Sequence, residues 1–201
     1  GSMREEIMPG HLVVVDQFFD RTRRQPASFF GTGLVAHVQL ADPVCNRLRG
    51  HLLATVRAAG AVVHDGGTYL CMEGPAFSTR AESRIYRSWG VDVIGMTNIP
   101  EAKLAREAEL CFATLALATD YDCWHETEAD VSVDVVLAIL AQNTAMAKKI
   151  IRLLAETLTA ERSCACPRAL QGAILTYPQH VDPAMRDKLD LLVGRYLPGG
   201  G

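Results

Sequence analysis

Apolar residues in this chain fall into two rhythms. Short unbroken runs predict strands covered on both faces, and recurrences every three or four residues predict helices with one buried side. The run His11-Leu12-Val13-Val14-Val15-Asp16, rich in β-branched residues and entered from Pro9-Gly10, predicts a buried strand. A polar loop is expected from Asp20 to Ser28, carrying Arg21, Arg23 and Arg24, with a second strand over Gly33–Leu40. Asp42-Pro43 then predicts a helix start, Asp as the cap and Pro at the first helical position. Val44, Leu48, Leu52 and Val56 recur at fours on its buried side, and Gly60 ends it.

Ala61–His64 and Thr68–Met72 read as two strands around Gly66-Gly67, which predicts a hairpin. Glu73-Gly74-Pro75 turns the chain. Thr79-Arg80-Ala81-Glu82 has the spacing of a capping box, so a helix should run from there to Trp89 and stop at Gly90. Val91–Met96 predicts a strand, Asn98-Ile99-Pro100-Glu101 a helix start with the helix lasting to about Ala108, and Leu110–Thr119 a strand buried on both faces. A long helix is expected over Val131–Thr157, with Val133, Val136, Leu137, Leu140, Ile151 and Leu154 on its buried side. After the loop Cys164-Ala165-Cys166-Pro167, Arg168–Leu175 reads as a short helix or strand and Pro183–Tyr196 as a last helix. Alternating strands and helices predict an α/β fold, a mixed β-sheet flanked by helices, and residues 1–201 read as one domain.

Charge and cysteine content narrow the function classes. A formal net charge of -3 over 201 residues argues against a general nucleic-acid binder, which needs clustered cations for phosphate contacts. Apolar stretches are broken well before the roughly 20 residues that span a bilayer, and no secretory-signal order opens the chain. The six cysteines, Cys45, Cys71, Cys111, Cys123, Cys164 and Cys166, are scattered, which suits reduced thiols in the cytoplasm. Cys164 and Cys166 form a weak metal or redox signal because no second Cys or His pair accompanies them in sequence, and no metal is expected. His11, His51, His64, His125 and His180 show no metal-ligand spacing either.

Ligands in open α/β sheets gather beyond the carboxyl ends of strands. Three segments place polar groups there: Glu73-Gly74-Pro75-Ala76-Phe77-Ser78, Gly95-Met96-Thr97-Asn98 and Ala118-Thr119-Asp120-Tyr121-Asp122. Asp120 and Asp122 are one residue apart, so in extended chain they face the same side. A protonated Asp could donate to N7 of a purine while a second accepted from a 6-amino group, which would improve the base as a leaving group. An Asp after a strand serves equally well as a turn or cap. Thr97 and the free amides of the following helix could hold an anion such as phosphate, or simply cap that helix. Phe77 and Met96 could flank a flat heterocycle or pack in the core.

Gly1-Ser2-Met3-Arg4-Glu5-Glu6-Ile7, Glu73 to Ser83 (EGPAFSTRAES), Val93-Ile94-Gly95-Met96-Thr97 and Ala118-Thr119-Asp120-Tyr121-Asp122-Cys123-Trp124 occur in the order seen in the methylthioadenosine phosphorylases. The resemblance to this family, relatives of the purine nucleoside phosphorylases, runs from Gly1 to about Thr157. It implies a purine nucleoside phosphorylase-like fold assembled as a homotrimer, and conversion of 5′-methylthioadenosine and phosphate to adenine and 5-methylthioribose 1-phosphate. Phosphate is a co-substrate and no cofactor is implied. By position, Asp120 is the proton donor to N7 and Asp122 a second adenine contact. Phe77 and Ser78 line the base pocket with Ile94 and Thr119 nearby, Met96 meets the ribose and Thr97 the phosphate. Val133 and Val136 border the methylthio group, and His37 reaches the neighbouring subunit's site. Family members carry a long segment ahead of Gly1 holding further phosphate donors, so the amino-terminal part of the fold is expected to be missing and these residues alone to catalyse weakly or not at all. Gly95 stands where some members have Asn. Two other functions fit less of the pattern: a phosphorylase for 6-oxopurine nucleosides, and a non-catalytic nucleoside-binding or assembly fragment.

Overall fold

The first predicted strand is Leu12–Val14 (β1), three residues with no solvent exposure on either face. It is one of six strands in the computed structural model, which describes residues 1–23, 27–125 and 133–198, with the side chains of 133–136 outside the described part. Two three-stranded sheets form. In one, β1 lies between Val63–Asp65 (β3, parallel) and Leu115–Leu117 (β6, antiparallel). In the other, Thr68–Met72 (β4) lies between Gln17–Arg21 (β2) and Val93–Gly95 (β5), all parallel. The mixed α/β reading therefore stands, while the hairpin at Gly66-Gly67 does not. Val14 faces Asp65 and Gln17 faces Thr68, the same offset of 51 residues, so β1–β2 and β3–β4 are one bent parallel ribbon. The bend is made at Gly66 (φ 92°) and Gly67 (φ 143°), a backbone region open mainly to glycine. Asp16 closes it by accepting from the Gly67 N–H at 3.1 Å.

Alternate residues of β1 face different layers. Leu12 and Val14 pack on Leu52, Leu53 and Val56 of the helix Asn46–Ala58 (α1) and on Ile150 of Val133–Thr157 (α4). Val13 and Val15 pack with Tyr69, Cys71, Val93 and Ala118. Full burial of side chains this size contributes about 1.5–3 kcal/mol each. The buried line of α4 matches the expected one at Leu154 but not at Leu137, Leu140 or Ile151. Asn143, Met146, Ile150, Leu153 and Leu154 face inward, whereas Leu137, Leu140 and Ile151 are exposed. Asn143 faces inward with that line because its amide donates to the Ala118 carbonyl. Among the described residues no helix is long and apolar enough to cross a membrane.

Other departures have visible causes. The stretch Gln17–Arg21, assigned partly to a loop by its polarity, is an edge strand against β4; Arg24 of that expected loop lies outside the described residues. Gly33–Leu40 forms no strand beyond a bridge from Ala36 to Ile174, because Leu34 and Val38 pack instead with the carboxy-terminal residues Leu170, Leu189 and Val193. Helix α1 starts four residues after Asp42: the Cys45 N–H pairs with the Phe112 carbonyl at 2.7 Å and the Arg106 guanidinium holds the Asp42 carbonyl, keeping Pro43 outside the helix. The capping box forms as expected, with Thr79 and Glu82 bonding reciprocally at the start of Arg80–Ser88 (α2), and Gly90 follows it at φ 80°. Ile99–Glu107 is α3 and Pro183–Val193 is α5, the latter capped by Asp182.

Candidate functional site

The ends of β5 and β6 meet over the segment Gly1–Met3. Ser2 donates its N–H to the Asp120 carbonyl at 2.7 Å and accepts from the Asp122 N–H at 3.1 Å. Gly1 exchanges backbone bonds with Ile94. The Trp124 indole N–H donates to the Ser2 carbonyl at 2.8 Å, and the Arg87 guanidinium lies 3.7 Å over the Trp124 ring. Ser2 and Met3 have no solvent exposure. This short segment bridges the acidic loop to β5 through Ser2. Gly1 has no room for a side chain, since a Cβ there would lie 2.9 Å from Asp120 Oδ1.

Beside it opens a cavity of about 310 Å³, walled by Gly1, Ile94, Thr97, Thr119, Tyr69 and Leu140 among others. Three expected site residues, Ile94, Thr97 and Thr119, thus share one space. Asp120 stands directly behind its wall, its Oδ2 accepting from the Thr119 hydroxyl at 2.5 Å and its Oδ1 against Gly1. Asp122 has one carboxylate oxygen, Oδ2, buried without a hydrogen-bond partner. A buried acceptor left unpaired costs about 1–3 kcal/mol, so its retention calls for an explanation.

Thr97 is exposed at the tip after β5, its carbonyl held by the Cys71 thiol at 2.9 Å and its hydroxyl 3.5 Å from the Tyr69 hydroxyl. Burial pushes the Tyr69 phenol up, and Thr97 bonds only partly offset it, so Tyr69 stays a neutral hydroxyl facing the cavity. Burial likewise raises the Cys71 thiol. Asn98 sits at φ 83° before α3 and spends its side chain on the Thr114 hydroxyl rather than on capping, which leaves the first α3 amides uncapped by it. At Gly95 a Cβ would collide with the Tyr69 hydroxyl. The absent side chain at 95 is what admits the phenol to the site.

The remaining expected residues lie farther out. Met96 packs against Gly74, whose Cβ would lie 2.7 Å from its sulfur. Ser78 is half-buried, its carbonyl accepting from the Cys123 thiol at 3.3 Å, while Phe77 is 83% exposed. His37 is exposed beside Arg106 and Arg168 in a separate depression of about 210 Å³. Val133 and Val136 stand on the first turn of α4, with side chains outside the described part. Sequence reading placed Asn98 in a strand-end segment but missed Tyr69, Gly1 and Leu140 as lining residues. Tyr69 reads as an ordinary strand aromatic, and only Gly95, on the neighbouring strand β5, hints at the space it fills.

The residue pattern and this geometry can be set against known proteins. Residues 1–158 match the phosphorylase superfamily. The chain is 61% identical to S-methyl-5′-thioadenosine phosphorylase of Geobacter sulfurreducens over 98% of its own length and 69% of that protein. It is 52% identical to the enzyme of the same name from Cereibacter sphaeroides, covering 99% of itself and 70% of the relative. Among solved structures it superposes with TM-score 0.90 on a methylthioadenosine phosphorylase from an antarctic soil metagenomic library, at 41% identity, over 96% of this chain and 68% of that one. A methylthioadenosine phosphorylase from Schistosoma mansoni, solved in complex with adenine, gives TM-score 0.81 at 32% identity, over 87% of this chain and 70% of that one.

Proposed function

The chain belongs to the phosphorylase superfamily and, within it, to the S-methyl-5′-thioadenosine phosphorylases, and from that premise we propose how its residues divide the work. The reaction is phosphorolysis: 5′-methylthioadenosine and phosphate give adenine and 5-methylthioribose 1-phosphate. The C1′–N9 bond breaks as a phosphate oxygen closes on C1′, and the departing adenine must take up a proton.

Asp120 delivers that proton to N7, and Asp122 accepts from the 6-amino group. The buried, unpaired Asp122 Oδ2 is the observation that carries this reading, because an aminopurine supplies the donor it lacks. A 6-oxopurine would bring an acceptor to the same place. The Thr119 hydroxyl on Asp120 Oδ2 orients the carboxyl and leaves Oδ1 for the base. Thr97 holds phosphate on the cavity's far side at the amino-terminal end of α3, whose positive end favours an anion. Ile94 and Thr119 flank the base, with Phe77 and Ser78 completing that pocket and Met96 against the ribose. Val133 and Val136 border the methylthio group, where apolar surroundings suit a thioether better than a hydroxyl. The active form is a cytoplasmic homotrimer of single-domain subunits in which the exposed His37 serves a neighbour's site, and phosphate is the sole co-reactant.

Adenine release from methylthioadenosine, methylthioinosine and adenosine, each with and without phosphate, tests the assignment. Phosphate-dependent cleavage should be fastest with methylthioadenosine, and Asp120→Asn should lower kcat about 10²- to 10⁴-fold. An Asp120→Asn protein that keeps its kcat removes Asp120 from the proton-donor role. Preference for methylthioinosine removes the pairing proposed for Asp122.

A further inference from the structure

Four cysteines from three distant parts of the chain converge at a place none of the substrate contacts reach. Cys45 stands at the N-cap of α1, Cys111 precedes β6, and Cys164 and Cys166 flank Ala165 in the loop after α4. Their sulfurs all lie within 4.8 Å of one another, those of Cys111 and Cys164 at 3.4 Å. This supplies the second pair that the sequence did not show beside Cys164 and Cys166. All four are free thiols. A disulfide needs sulfurs about 2.05 Å apart. Four thiolates around one zinc, each at about 2.3 Å, stand about 3.8 Å apart at the corners of a tetrahedron. With every pair inside 4.8 Å and the Cys111–Cys164 pair at 3.4 Å, the cluster is close enough to surround one such ion and its Cys111–Cys164 pair is too far apart for a disulfide.

Bonds outside the cluster set that spacing. The Cys45 N–H on the Phe112 carbonyl ties the start of α1 to the residue after Cys111. Two residues before Cys111, the buried Glu109 accepts from the Leu170 N–H at 2.9 Å and the Tyr196 hydroxyl at 2.6 Å, and pairs with Arg195. The Glu109 carbonyl takes the Arg162 guanidinium at 3.1 Å. The carboxy-terminal segment is therefore clamped to the body on both sides of Cys164 and Cys166. Cys45 and Cys166 are buried, Cys111 and Cys164 half-buried. Arg47 and Arg106 line the depression beside Cys45, Cys164 and Cys166, cations placed next to a group that would carry net negative charge as a metal tetrathiolate.

We propose that Cys45, Cys111, Cys164 and Cys166 form a closed structural site for a thiophilic divalent cation, zinc, which pins the carboxy-terminal segment to the body of the domain. Four S–H protons leave as four Zn–S bonds form, and nothing is oxidised. With all four positions taken by protein, none is left for water or substrate, so the metal acts on stability and not on the reaction.

The intact protein, purified without chelator or reductant, is expected to hold about one zinc per chain by elemental mass spectrometry. Exchange with Co(II) should give the thiolate-to-cobalt charge-transfer absorption and the strong visible bands of a tetrahedral site. Cys164→Ser should lose the metal and lower Tm while leaving kcat for adenine release unchanged, and Cys164→His, which keeps a ligand, should retain it. A protein that neither carries nor takes up zinc overturns the proposal, whether thiol titration then finds six free cysteines or intact mass shows them paired as disulfides. Equal zinc retention by Cys45→Ser and Cys164→Ser overturns it too. The metal readouts do not depend on turnover, so they stand or fall apart from the assigned reaction.

Discussion

The Asn143 amide, buried in the middle of α4, donates to the Ala118 carbonyl at 3.0 Å, two residues before Asp120. The same carbonyl accepts from the Gly10 N–H at 2.8 Å. Asn is a poor helix-interior residue, and here its side chain is spent on fastening the end of β6 to a helix. That bond fixes where the acidic loop leaves the sheet. Asn143→Ala is expected to cost about 1–3 kcal/mol in denaturant melts, through the lost bond and the space left behind. It should also raise KM for the nucleoside, because the Thr119–Asp122 loop loses its anchor. A variant that is destabilised but kinetically normal would show that Asn143 supports the core without positioning the site.

Asp122 offers a contrast between stability and binding. Its unpaired buried oxygen costs the protein free energy, and in the proposed reaction the aminopurine supplies the missing donor. Asp122→Ala should therefore leave the Tm of the free protein unchanged or raise it, while weakening adenine and substrate binding about 10-fold or more, the worth of a hydrogen bond to a charged group. Thermal melts with and without adenine measure both effects. A lowered Tm in the free protein combined with unchanged adenine affinity would remove Asp122 from the base contact.

What could be read before the structure was local. The Thr79–Glu82 box and the stops at Gly60 and Gly90 depend on neighbours within four residues, and all formed. The strand-tip segments that carry Ile94, Thr97 and Thr119 were legible for the same reason, since each ends its own strand. Features set by remote partners were not. Gly66-Gly67 has the composition of a hairpin, yet its strands pair in parallel with β1 and β2, whose register no short window contains. The inward line of α4 was hidden because apolar residues occur on several sides of that helix, and packing on β1 and α1 selects Met146, Ile150, Leu153 and Leu154. Cys45 lies far along the chain from Cys164, and Cys111 is 53 residues before it, so only tertiary structure shows four thiols together.

The capping box precedes α2 directly after Phe77 and Ser78. Thr79→Ala removes the acceptor for the Glu82 N–H, a bond of 3.2 Å, and should lower stability by about 1 kcal/mol. Because Phe77 and Ser78, proposed to line the base pocket, enter the helix through this cap, fraying there should also raise KM modestly with little change in kcat. Thr79→Ser, which keeps the hydroxyl, should restore both. Failure of Thr79→Ser to restore them would mean that the methyl packing of Thr79, not its cap, is what matters.

His11 Nδ1 and His64 Nε2 lie 3.0 Å apart where β1 and β3 run side by side. Burial, then the neighbouring His11, hold His64 below the ordinary imidazole value of 6.5, with Glu6 opposing weakly. The folded protein thus disfavours the proton that the unfolded chain takes up near 6.5. Below that value the unfolded state binds more protons, so stability falls as pH drops from above 6.5 through the lower folded-state pKa, and then levels. Thermal melts across this window should show a steeper loss for the native sequence than for His64→Gln, which cannot take up the proton. The two profiles should run parallel above it, where His64 is neutral in both states. If His64→Gln loses stability with the same steepness, the pH response arises elsewhere and the pair is only a packing contact.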